Sequence, residues 1–182
     1  DVLFEDKPAF IAAMNIVAVC CFRCKAIILA FCLMDNHVHF ILYGTLEEWL
    51  QFRDKFLHKY AIWHSRRYSE KKMEAIEFDI KPMEDERYIL TSIAYVLRNS
   101  ITAGFRYCVI DYPWSSANLY FRDPESLKLL TDGWIKLSDL PVKERYRKVQ
   151  TQVDLPADWL ITPDGYVWPG CYIDYRHVER LF

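Results

Sequence analysis

At 182 residues, with 52% hydrophobic and 26% charged side chains, the chain has the composition of a folded protein, which excludes a disordered or low-complexity interaction tail. Its length suits one core with an appendage rather than two full domains. A net charge of -2 and a pI of about 6.2 exclude nucleic-acid binding through overall basicity, so any such contact must come from local charge.

The first expected element is a helix from Lys7 to about Arg23, with Phe10, Ile11, Met14, Val17 and Cys21 at spacings of three and four and Pro8 in the first turn. The apolar stretch from Ala12 to Met34 has the length of a membrane span, but Arg23 and Lys25 interrupt it, at about 2.5–3.5 kcal/mol each near a bilayer centre. A buried helix followed by a buried strand is expected instead, and no membrane. The six cysteines, Cys20, Cys21, Cys24, Cys32, Cys108 and Cys171, lie mostly in apolar surroundings without the spacing of a disulfide framework, which points to a reducing cytoplasm. Cys21-x-x-Cys24 has no second pair and falls inside the helical pattern, so no zinc knuckle is expected. Because the chain opens on Asp1 rather than Met, no signal peptide can be called, and the chain is expected to continue upstream in nature.

Ile27 to Leu33 is an unbroken apolar run and His37 to Tyr43 alternates up to Gly44, so two adjacent strands, or one bent strand, are expected across a Met34-Asp35-Asn36 turn. Thr45, with Glu48 three residues later, caps a helix expected to reach about Tyr68. Ile76 to Ile80 is a short strand or an extended link. A third helix is expected from about Asp85 to Ile101, with Ile89, Ile93, Val96 and Leu97 on its apolar face and Gly104 near its end. A short helix to about Phe121 follows the Tyr112-Pro113-Trp114-Ser115-Ser116 segment, read as a proline turn, an anchoring indole and capping serines. The chain beyond Asp123 holds five of the eight prolines. Residues 1–122 are therefore read as the main domain and 123–182 as a C-terminal extension of open role.

The chemistry centres on His37 and His39. On a strand, residues i and i+2 share a face, so the two imidazoles stand side by side while Val38 turns to the core. They can share a divalent ion, and they can equally be hydrogen-bonded core histidines. On the third helix Tyr95 and Asn99 are four residues apart and share a face. They could present a phenol and an amide oxygen to the same ion, or be an ordinary amphipathic tyrosine and a helix cap. An oxygen ligand added to two imidazoles moves the preference from zinc, copper or nickel toward manganese or magnesium. A phenol with an unperturbed pKa near 10 needs such help to attack at neutral pH.

Three stretches occur in order: Ala30-Phe-Cys-Leu-Met-Asp-Asn-His-Val-His-Phe-Ile-Leu42, Tyr95-Val-Leu-Arg-Asn-Ser-Ile-Thr-Ala-Gly104, and Tyr112-Pro-Trp-Ser-Ser116. Together they resemble the REP-associated tyrosine transposase group, insertion-sequence-type single-tyrosine transposases of the HUH endonuclease superfamily. The resemblance runs from Phe4 to Phe121. It implies an α+β, ferredoxin-like sandwich with a central antiparallel sheet, whose first strand, preceding helix one, is not in this sequence. It implies His37, His39 and Asn99 as ligands of Mg2+ or Mn2+ and Tyr95 as the nucleophile that nicks single-stranded or hairpin DNA through a phosphotyrosine. It also implies a bacterial cytoplasmic enzyme, nucleoid-associated when bound to DNA, whose tyrosine acts within one subunit or across a homodimer. Asp35 and Ser100 stand where the group usually has proline, which bears on local rigidity and leaves the ligands intact.

From Arg53 to Lys72 the chain carries Arg53, Lys55, Lys59, Arg66, Arg67, Lys71 and Lys72 against Asp54 and Glu70. With Tyr60, Trp63 and Tyr68 interleaved, this stripe suits a single-stranded ligand, cations on phosphates and rings on bases; its alternative is a solvated helix face with inward aromatics. Arg98 is a further candidate phosphate contact. Two other expectations stand beside the transposase reading: a catalytically decayed, DNA-binding relic of the same fold, and a His-metal enzyme unrelated to DNA.

Overall fold

The computed structural model describes residues 2–69, 73, 76, 78–102, 104, 108–120 and 122–180. Lys71, Lys72 and Glu70 of the basic stripe lie outside them, as does Glu77; Ile76 and residues 78–80 form no strand.

Helix α1 spans Lys7–Cys24, with the Asp6 side chain accepting the Ala9 N–H at its start. Eleven of its residues are buried, on every side. It is the one described helix long and apolar enough to cross a bilayer by length and composition. Its all-round apolarity has a local cause, because α2 packs on one side and the C-terminal extension on the other, where Ala18 and Val19 join Leu137, Val149, Leu155, Ile161 and Val167. Lys25, in the left-handed region at φ 52°, ends the helix by donating to the Cys21 carbonyl.

Strands β1 (Ile27–Met34) and β2 (His37–Tyr43) form an antiparallel hairpin closed by Asp35 and Asn36. The register places Cys32 opposite His39 and Met34 opposite His37, with an irregularity at Leu29. On the far side of β1 the Trp114–Ser116 segment pairs briefly: the Leu33 N–H donates to Trp114 O, the Ser116 N–H to Phe31 O, and the Phe31 N–H to Ser116 Oγ. The protein is thus α+β with a small antiparallel sheet of two full strands.

Gly44 turns the chain from β2 into α2 (Leu46–Arg67) at φ +146°, a conformation that disfavours any residue with a Cβ. Such a Cβ would also lie 2.7 Å from Glu48 Oε2, the carboxylate that completes the expected capping box with Thr45. Phe52, Phe56 and Tyr60 of α2 are buried. Phe40 of β2 meets Phe52 and Phe56 at ring separations of 5.3 and 5.7 Å, each buried ring contributing about 1.5–3 kcal/mol. Phe40 and His39 point to opposite faces, and His39 meets Tyr95 of helix α3 (Glu86–Thr102). Helices therefore cover both faces, α2 the Phe40 face and α3 the histidine face.

The segment after α3 behaves partly as expected. Trp114 anchors it, stacking on Phe10 at 5.0 Å, and the Tyr112 hydroxyl donates to Leu33 O. Ser115 Oγ accepts the Ala117 N–H at the start of a 3-10 turn, Ala117–Leu119. Ser116 corrects the expectation, since it hydrogen-bonds strand β1 rather than capping that turn.

The extension contains α4 (Pro124–Thr131), α5 (Val142–Val149), α6 (Tyr175–Glu179) and a two-residue antiparallel pair, β3 (Ile135–Lys136) with β4 (Leu160–Ile161). Leu127, Tyr166, Trp168, Ile173 and Val178 belong to the same apolar core as α1 and β1. Buried Asn15 of α1 fastens the two parts, accepting the Val167 N–H and donating to the Lys148 and Gly165 carbonyls.

Candidate active site

The two histidines stand on β2 beside the hairpin turn. Their rings lie 4.7 Å apart, nearly perpendicular, on the face that α3 covers. Tyr95 reaches this face from the middle of α3: its ring centroid is 5.8 Å from that of His39, and the residue is 54% exposed, so its hydroxyl is open to a large ligand. All three line one cleft of about 1860 Å3.

His37 is exposed and His39 half-buried. Burial, and then the neighbouring His37, hold the His39 imidazole below its ordinary pKa, so at neutral pH it is uncharged, the form that ligates metal. Nδ1 of His37 is 2.7 Å from Asn36 Oδ1. With the proton on Nδ1, Asn36 accepts it and the Nε2 lone pair faces outward, the outer-shell arrangement that orients metal-binding histidines. Sequence reasoning assigned Asn36 only to the turn. Its short amide next to a surface imidazole was the available signal.

Asn99 is placed differently. It follows Tyr95 by one helical turn but is buried, does not line the cleft, and its Nδ2 has no hydrogen-bond partner. The structure brings His37, His39 and Tyr95 together and leaves Asn99 behind the wall. Among the described residues, no three His, Cys, Asp or Glu side chains are grouped to hold an ion. The candidate donors that the structure brings together are the two imidazoles.

The basic stripe divides. Arg53 lines the cleft, pairs with Asp54 at 2.7 Å and lies over the Phe78 ring. Lys55 and Lys59 lie close enough to α1 for their charges to act on the Cys20 thiol. Arg67 pairs with Asp6 at 3.5 Å, while Arg66 and Arg98 are exposed. The interleaved aromatics turn inward: Tyr60 is fully buried, donating to Leu3 O, Trp63 packs on the core, and the Tyr68 hydroxyl donates to Asp6. Tyr60, Trp63 and Tyr68 thus follow the alternative reading of inward aromatics, supplying contacts between α2 and the chain start.

No family model, curated protein or solved structure matches this chain.

Proposed function

We propose that the protein is a metal-dependent endonuclease and strand transferase of the single-tyrosine transposase kind, acting on single-stranded or hairpin DNA. The observation that carries this reading is the contact of the Tyr95 ring with His39 beside His37, in an open cleft. We read the fold as a ferredoxin-like core, the hairpin backed by α1 and α2, with α3 added over the histidine face.

Two adjacent imidazoles, one with its far nitrogen already hydrogen-bonded, fit a divalent ion. Asn99, which lies behind the cleft wall, is the third donor that the resemblance implies, through its Oδ1. Imidazole donors favour Mn2+ over the oxygen-seeking Mg2+. When bound, the ion supplies Lewis-acid polarisation of a phosphate oxygen.

The protein's own step belongs to Tyr95. Its hydroxyl oxygen attacks phosphorus and gives up its proton to solvent at the exposed mouth. The bond from phosphorus to the leaving deoxyribose oxygen breaks, and that oxygen departs as a hydroxyl. The phosphotyrosine keeps the ester energy, so attack by another DNA hydroxyl rejoins the strand and frees Tyr95.

The test is incubation of the full chain with end-labelled hairpin DNA and Mn2+, followed by denaturing electrophoresis. A labelled covalent adduct is expected, and its loss in Tyr95→Phe. Asn99's position behind the cleft wall favours a second reading, a DNA-binding relic, for which the hairpin binds but no adduct forms. Neither binding nor adduct refutes both.

A further inference from the structure

Among the described residues, five Phe, Tyr or Trp side chains are exposed: Phe22, Tyr43, Phe78, Tyr88 and Tyr95. Phe22 forms a T-shaped pair with Trp159. The other four all line the cleft that holds His37 and His39. An aromatic ring left in water forgoes burial that favours folding, and the rings of α2 that could have stayed outside, Tyr60, Trp63 and Tyr68, turn inward. Exposed apolar surface gathered at one place marks an interaction site. Rings gathered there suit a ligand with flat faces of its own.

The elements set their spacing. Tyr88 and Tyr95 are seven residues apart on α3, which leaves them within about 20° of one face and about 10 Å apart along the axis. Tyr43 lies four residues beyond His39 on β2, on the same face and about 13 Å farther along the strand. Phe78 stands on the wall with the Arg53 guanidinium 5.4 Å from its ring centroid. The Lys and Arg side chains of the lining are already paired, Arg53 with Asp54 at 2.7 Å and Lys81 with Asp79 at 2.9 Å. Little charge is left over for phosphates, so the rings are the groups free to hold a strand.

We infer that the cleft grips its single strand by the bases, with Tyr88 as the platform on which one base near the scissile phosphate stacks. The class of ligand rests on the nuclease reading, while the position of the platform rests on α3. A stacked strand rises about 3.4 Å per nucleotide, so the span of about 10 Å from Tyr95 to Tyr88 is about three nucleotides, and fewer in an extended strand. Stacking accepts any base, because every base has a π-face. Tyr88 therefore fixes where the strand lies along α3, and so which phosphate reaches Tyr95, without reading sequence.

The test measures anisotropy of a fluorescein-labelled DNA hairpin with a single-stranded flank on the full chain, over a salt series, with a chelator present so that no strand is cut. Tyr88→Ala should weaken binding about tenfold at every salt concentration and leave the slope of log affinity against log salt unchanged, since no phosphate contact is lost. Tyr88→Phe, which keeps the ring, should bind as the wild-type does. In a set of flanks each lacking one base, one abasic position should cost the wild-type about tenfold and Tyr88→Ala nothing more. The platform is overturned if Tyr88→Ala binds as tightly as the wild-type, if Tyr88→Phe is as weak as Tyr88→Ala, or if the alanine variant lowers the salt slope. If any of these occurs while the wild-type still forms the Mn2+-dependent adduct, the nuclease reading survives without the platform. Absence of hairpin binding by the wild-type removes both.

Discussion

Asn15→Ala tests whether the extension is part of the folded core. Asn15 is fully buried, and its Oδ1 accepts the N–H of Val167, also fully buried, at 2.9 Å. Its Nδ2 reaches the Lys148 and Gly165 carbonyls at 3.3 and 3.4 Å, the long end of hydrogen bonding, so these add little. Alanine strands the Val167 N–H without an acceptor, at about 1–3 kcal/mol, and leaves a space where the carboxamide was. A loss of about 2–4 kcal/mol follows. Urea denaturation followed by tryptophan fluorescence measures it, with Trp114, Trp159 and Trp168 on both sides of the joint. The wild-type should unfold in one transition, because one apolar cluster spans both parts. A loss below about 1 kcal/mol, or a separate early transition for the extension in the wild-type, would show that Asn15 does not hold the two parts together.

Two further expectations follow from the same geometry. Arg98→Ala should weaken hairpin-DNA affinity and lower the slope of log affinity against log salt by about one, because Arg98 is exposed three residues after Tyr95. Arg67→Ala should leave both unchanged, since Arg67 is held by Asp6; filter binding over a salt series compares them. In metal-free protein, the depressed His39 pKa makes the unfolded chain the better proton acceptor. Its stabilising share is full above the ordinary histidine value of about 6.5 and is lost as pH falls through the folded value. His39→Gln should therefore lose less stability than wild-type between pH 7 and 5 in denaturation series, and equal losses would refute the assignment.

The hairpin and its two helices were legible because each carries a local signal that the tertiary structure reinforces. Thr45 and Glu48 cap α2 as their spacing implies, and the alternation from His37 to Tyr43 sets the face on which the histidines meet Tyr95. What sequence periodicity could not supply was the partner of each face. α1 is apolar all round, so its pattern announces burial but not that the extension covers its second side. Tyr60, Trp63 and Tyr68 have the same spacing whether they stack on bases or on the core, and the choice is made by residues far away in sequence, Leu3 and Asp6. Ser116 looked like a cap because it precedes a helical turn. Its partner Phe31 is 85 residues away, a pairing that no local rule reports.

The end of α3 holds the most discriminating residue. Asn99 Nδ2 and Ser100 Oγ are both buried and both without a hydrogen-bond partner, and a desolvated polar atom left unpaired costs about 1–3 kcal/mol. Adjacent exceptions of this kind on the helix that carries Tyr95 leave hydrogen bonding incomplete there, which calls for an explanation. If Asn99 serves neither the ion nor the fold, an apolar side chain of similar volume should be at least as stable, and metal affinity should not change. If it serves the ion, stability and affinity separate. The expected outcome for Asn99→Leu is a metal-free protein as stable as the wild-type or more so in urea, with Mn2+ affinity reduced about tenfold, the equivalent of about 1.4 kcal/mol, by titration calorimetry. Unchanged affinity would remove Asn99 from the ligand set and leave the two imidazoles to bind the ion without it. Loss of stability with unchanged affinity would mean that the carboxamide has a structural task that its unpaired nitrogen does not reveal.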